Sequence, residues 1–117
     1  MSNASWGYAL ITDGPDVGAT FLLRGDEVVI GLDHGAQFGI SVDKDESVSR
    51  FHGRFIRHGR RVFYEDTESN SGSWLNGEEV PAGKPVPVHR GDTLRLGPRT
   101  VIEFARNLSD AGRPRPV

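Results

Sequence analysis

The 117-residue sequence predicts an all-β fold, a sandwich or barrel of about eleven short strands. Three observations carry that reading. No glycine- and proline-free window of about eleven residues places apolar side chains at i, i+3, i+4 and i+7, as an amphipathic helix requires. Fifteen glycines and seven prolines cut the chain into short apolar runs separated by turns. Inside those runs apolar and polar residues alternate, the period of a strand with one buried face.

The runs follow one another closely. "YALIT" (8–12) leads into the turn "DGPDVG", "TFLL" (20–23) into "RGD", and "EVVIG" (27–31) into the loop "LDHGAQ". "FGISV" (38–42) precedes the charged loop "DKDES". "HGRFIRH" (52–58) and "RVFYED" (61–66) flank a Gly59-Arg60 turn. "SWL" (73–75), "EEV" (78–80), "KPVPV" (84–88), "DTLRLG" (92–97) and "TVIEFA" (100–105) complete the series. Leu94 and Leu96 share one face while Arg95 points away, and Val101 and Glu103 oppose Ile102 and Phe104. Asn76-Gly77 suits a type I′ hairpin, whose two central residues need positive φ. Pro85 and Pro87 cannot donate to a ladder, so their segment belongs at an edge.

Composition narrows the function. There are no cysteines, which excludes disulfides and thiolate zinc sites. The four histidines lack the i, i+4 pairing of a helical metal site, so no metal or cofactor is expected. A net charge of −2 with interspersed signs gives no footprint for nucleic acid. No apolar stretch reaches the roughly 18 residues of a membrane span, and the N-terminus has no secretory pattern, so the expected location is cytoplasmic. Residues 1–6 read as a disordered or expression-derived start, 7–106 as the domain, and 107–117 as a flexible tail or linker. The isolated domain is expected to be monomeric.

Three polar loops stand out: 31–37, 43–50 and 66–73. Alternate loops of an antiparallel sandwich gather at one end, so these three should meet. The middle one runs into "SRFHGRF" (49–55), which sets a hydroxyl, a guanidinium and an imidazole together at the mouth of a strand. Such a group can be a nucleophile with its base, an anion clamp, or a buried knot that holds a loop.

The order "IG", "SVSRFH", "DTESNSGSWLNG" resembles the forkhead-associated (FHA) domain over residues 8–105. Gly31 matches the first glycine of that family's Gly-Arg pair. Ser49-Arg50-Phe51-His52 matches its Ser-x-x-His. Ser71-Gly72-Ser73 stands where Asn-Gly-Thr is usual, and Asn76-Gly77 matches the final pair. The resemblance implies a sandwich of two antiparallel sheets. It also implies a non-catalytic module that binds phosphothreonine in partner proteins, such as Ser/Thr kinase substrates, through loops at one end.

A phosphate monoester carries about −1.5 to −2 charges near neutral pH and needs convergent donors. Ser49 offers a hydroxyl and a backbone N–H, Arg50 a planar fork of donors, and Asn70 an amide from the facing loop. Ser71 stands where the family's asparagine grips the peptide backbone, with a shorter reach. The resemblance makes His52, Gly53 and Gly72 architectural, with His52 fixing Ser49. Asp66 accepts turn hydrogen bonds, Trp74 and Leu75 pack beneath the loop, and the charged residues around Lys44 form a solvated loop.

The departure is Leu32, which replaces the arginine that reaches the phosphate. Two expectations follow. Either binding persists in weakened form, with Arg50 and the auxiliary candidates His34 and Lys44 compensating, or the domain has become a phosphate-independent interaction or scaffolding module. A hydrolase built on Ser49, His52 and Asp33 or Asp66 is the remote alternative. No Gly-x-Ser-x-Gly elbow supports it.

Overall fold

Alternation along the runs becomes two layers. The computed structural model describes residues 5–32, 39–42 and 44–110. One sheet has six strands: β1 (Ser5–Asp13), β2 (Thr20–Arg24), β7 (Ser73–Leu75), β8 (Glu78–Glu79), β10 (Thr93–Leu96) and β11 (Thr100–Ala105), in the order β2-β1-β11-β10-β7-β8. The other has five: β3 (Glu27–Gly31), β4 (Ile40–Ser41), β5 (Gly53–His58), β6 (Arg61–Asp66) and β9 (Val86–Val88), in the order β4-β3-β5-β6-β9. Ile11, Leu23, Ile30, Phe55, Tyr64, Leu94, Ile102 and Phe104 fill the space between the sheets. Phe55 packs edge-on to Tyr64, with ring centroids 5.8 Å apart, and lies 6.1 Å from Phe104.

The expected devices are present. Asn76 and Gly77 both have positive φ, 51° and 86°, and turn β7 into β8. β9, which carries Pro87, lies at the edge of the five-stranded sheet and, among the described residues, pairs with β6.

Three boundaries differ from expectation. β1 begins at Ser5, so Ser5 and Trp6 belong to the sheet rather than to an extension ahead of it. The Trp6 indole N–H donates to Gly25 O at 2.8 Å, and Arg106 donates to Trp6 O at 3.1 Å. Those contacts hold the first residues against distant parts of the chain. β4 shrinks to Ile40–Ser41 and runs parallel to β3, whereas the other ladders among the described residues are antiparallel. Leu108–Asp110 forms a 3-10 turn at the start of the expected tail.

This topology gathers the polar loops. β3 ends at Gly31, β5 starts at Gly53, β6 ends at Asp66 and β7 starts at Ser73. Ile30 pairs with Gly53, and Gly53 with Asp66, so these termini lie side by side at one end of the sandwich.

Candidate anion-binding site

Gly31 sets the floor of the site. A Cβ there would lie 1.7 Å from Arg50 O, so only glycine lets the end of β3 pass beneath the 49–50 segment. The contact is stitched by backbone bonds, Leu32 N–H to Ser49 O at 3.0 Å and His52 N–H to Ile30 O at 2.9 Å.

His52 is completely buried and joins two loops. Its Nδ1 accepts the Ser49 backbone N–H at 3.1 Å, and its Nε2–H donates to Gly72 O at 2.7 Å. These partners define the neutral tautomer protonated at Nε2. Burial lowers its pKa below the ordinary histidine value; the Gly72 carbonyl and the Asp66 and Asp45 carboxylates offset that only in part. Both ring nitrogens are therefore engaged with backbone groups. Nδ1 faces the Ser49 amide rather than its hydroxyl, and Asp66 Oδ2 lies 4.0 Å from Nε2. That is not the hydrogen-bonded chain of nucleophile, base and orienting carboxylate that a triad needs. His52 fixes Ser49, the architectural role expected of it.

Ser49 presents its hydroxyl. With its N–H held by His52, its Oγ accepts the Asn70 backbone N–H at 2.9 Å. A hydroxyl that accepts one bond still has its own hydrogen to donate. Asn70, whose backbone N–H makes that bond, is exposed. Arg50 is also exposed, with no hydrogen-bond or ion-pair partner among the described residues. Ser71 donates its Oγ–H to Ser47 O at 2.5 Å, which leaves its oxygen as an acceptor.

Two buried carboxylates hold the loops. Asp66 accepts from Ser69 N–H at 2.8 Å, Ser69 Oγ–H at 2.6 Å and Ser73 Oγ–H at 2.5 Å. Tyr64 OH shares a 2.7 Å bond with Ser73 Oγ. Asp45 is the correction to the solvated-loop expectation, because it is 0% exposed. It accepts Ser47 N–H at 3.0 Å, Ser47 Oγ–H at 2.5 Å and Thr100 Oγ1–H at 2.6 Å, with Arg99 3.6 Å away. Burial alone would raise both carboxyls. Their hydroxyl and amide donors prevail, helped by Arg99 at Asp45 and by His52 at Asp66, and hold each below its ordinary value. Asp45 thus positions Ser47, and Ser47 O in turn holds Ser71. The local signal for it is the Asp-x-Ser spacing of an Asx turn, which "DKDES" hides among other charges.

Gly53 and Gly72 frame the site. A Cβ on Gly53 would meet Tyr64 OH at 2.1 Å, while Gly72 has φ +85° above the Trp74 ring. Trp74 in turn lies beneath the Arg95 guanidinium at 4.2 Å. Leu32 is half-buried and packs against the hydrophobic core. Lys44 is exposed, and its backbone N–H is held by Asp16 Oδ2 at 3.1 Å. His34 and Asp33 lie outside the described residues.

A hydroxyl with a free hydrogen, an unpartnered guanidinium and an exposed amide suit an anion with several acceptor oxygens. The family model for the FHA domain matches residues 25–97. The E3 ubiquitin-protein ligase rnf8 of Danio rerio is 37% identical over 51 residues, which cover 43% of this chain and 10% of the relative. A solved FHA domain, studied for phosphothreonine-dependent interactions, is 28% identical with a TM-score of 0.71, covering 89% of this chain and 98% of its own. The solution structure of an FHA domain from an Arabidopsis thaliana hypothetical protein superposes with a TM-score of 0.75 at 20% identity, covering 91% of this chain and 92% of its own.

Proposed function

The chain belongs to the FHA domain family, and from that premise we propose that it is a non-catalytic module that recognises phosphothreonine-containing peptides. Its partners on this reading are cytoplasmic substrates of Ser/Thr kinases. The observation that carries the reading is the arrangement of Ser49. Its amide is held by His52 and its oxygen by Asn70 N–H, so the hydroxyl hydrogen is free beside the unpartnered Arg50. Ser49 and Arg50 grip the phosphate. Asn70 contributes its side-chain amide, Ser71 accepts from the peptide backbone, and Lys44 adds long-range charge.

Leu32 weakens the grip. A charge-assisted hydrogen bond contributes about 1.5–3 kcal/mol, so one lost contact reduces affinity roughly ten- to a hundred-fold. Leucine packed on the core supplies no donor to replace it. The same packing favours the second reading, a domain that docks partners without phosphate.

Calorimetric titration of a phosphothreonine peptide library against its unphosphorylated twin separates the two. Phosphopeptide recognition predicts a preference for phosphorylated members that Arg50→Ala removes and Leu32→Arg strengthens about tenfold. Equal affinity for both libraries selects the phosphate-independent module. Equal affinity of wild type and Leu32→Arg for the best phosphopeptide overturns the account of Leu32.

A further inference from the structure

The end of the sandwich opposite the clamp carries a second, differently built groove. Its volume is about 430 Å³. Arg60 and Arg61 enter it from the β5–β6 turn, His89 from the end of β9, and Arg106 from the residue after β11. Phe63 and Pro87 form an apolar floor. No aspartate or glutamate is among its lining residues. The six residues of β5 separate it from the clamp by roughly 17 Å of strand. That is about two Debye lengths at physiological salt, so the two ends act as electrostatically independent sites.

The groove is pre-organised on one side and free on the other. Arg106 donates to Arg60 O at 2.9 Å and to Trp6 O at 3.1 Å, and its guanidinium lies 5.3 Å from the Phe104 ring centroid. Arg60 and Arg61 are exposed, and their side chains have no carboxylate partner among the described residues. Pro87 supplies no N–H at the centre of the outer edge of β9, so a ligand cannot add there as a regular further strand. Recognition must therefore come from side chains: carboxylates on the arginines and an apolar group over Phe63 and Pro87. The end of the chain itself is the wrong sign, since residues 111–117 contain Arg113 and Arg115 and no acidic residue.

We infer that this groove is a second docking site, independent of the clamp, for an acidic segment of a partner protein that places an apolar side chain between carboxylates. The phosphothreonine end and this end then engage partners at the same time.

The test uses a fluorescein-labelled peptide of alternating Glu and Leu and its Lys-for-Glu twin, titrated into the full chain at low salt. Backbone amide shifts are followed by NMR. The Glu peptide moves the amides of Arg61, Phe63 and Arg106 but not those of Ser49 and Asn70, and the Lys peptide moves none of them. R60E/R61E, both on an exposed turn, weakens the Glu peptide roughly tenfold, consistent with the loss of two exposed charge contacts and the gain of two repulsions. Amide dispersion reports that the variant is folded, and Arg60→Gln/Arg61→Gln gives an intermediate affinity. The inference is overturned if the Glu peptide maps to the clamp, or if R60E/R61E binds it as wild type does. It is also overturned if sedimentation shows self-association that R60E/R61E abolishes, because the occupant is then a second copy.

Discussion

A buried neutral imidazole makes the clamp sensitive to acid. His52 must keep its Nδ1 lone pair to hold the Ser49 N–H. Its folded pKa lies below the unfolded value of about 6.5, so the unfolded chain takes up the proton first. Its contribution to stability is complete above pH 6.5 and is lost as pH falls from there toward the folded pKa. Asp45 and Asp66 act in a lower window, because their folded pKa values lie below about 3.8. Their contribution is present above 3.8 and disappears as pH falls through the folded values. Thermal melts across pH should show a first decline beginning near 6.5 and a second below about 4, and His52→Asn should flatten the first alone. An unchanged slope in that variant would show that His52 is not the group that titrates. The Ser49-x-x-His52 spacing, which carries the family pattern, was legible in sequence. The use of the Ser49 amide and the burial of Asp45 were not, because they depend on partners such as Thr100, which is 55 positions from Asp45.

Elements were legible wherever period and turn chemistry agreed. The β7–β8 hairpin follows from Asn76-Gly77, and the edge position of β9 from its prolines. The direction of β4 was not legible, since an alternating or apolar run carries no record of its neighbour. The reach of β1 back to Ser5 was hidden too, because Trp6 is anchored by residues 19 and 100 positions away. Two glycines at element ends separate backbone strain from collision. Gly77 has φ 86° and open space around it, so Gly77→Ala costs only the left-handed strain of about 1–2 kcal/mol. Its hairpin is remote from Ser49, so phosphopeptide affinity should not change. Gly31→Ala drives a methyl into Arg50 O and must displace the backbone that carries the clamp. Urea unfolding should show a larger loss for Gly31→Ala than for Gly77→Ala, and titration should show lost phosphopeptide binding for Gly31→Ala alone. Equal behaviour of the two variants would mean that the crossing of β3 beneath the 49–50 segment does not support the site.

Across the whole molecule, a net charge of −2 conceals local clusters of one sign. The far end presents Arg60, Arg61 and Arg106. Glu46 and Glu68 are exposed on the two loops that carry Ser49, Arg50 and Asn70. On the proposed reading, a phosphopeptide meets Arg50 in a field reduced by these glutamates, in addition to lacking an arginine at position 32, and ligands with basic flanks are favoured. Phosphothreonine peptides flanked by Lys or Arg should bind severalfold tighter than peptides flanked by Asp or Glu at low ionic strength. Glu46→Lys/Glu68→Lys should reverse that order while leaving the thermal midpoint within a few degrees, because both side chains are exposed. In about 1 M salt the Debye length shrinks to about 3 Å, so the flank preference should vanish, whereas the direct phosphate contact proposed for Arg50 should still discriminate phosphorylated from unphosphorylated peptide. A flank preference that survives high salt would place its origin in direct side-chain contacts rather than in the field of the two glutamates.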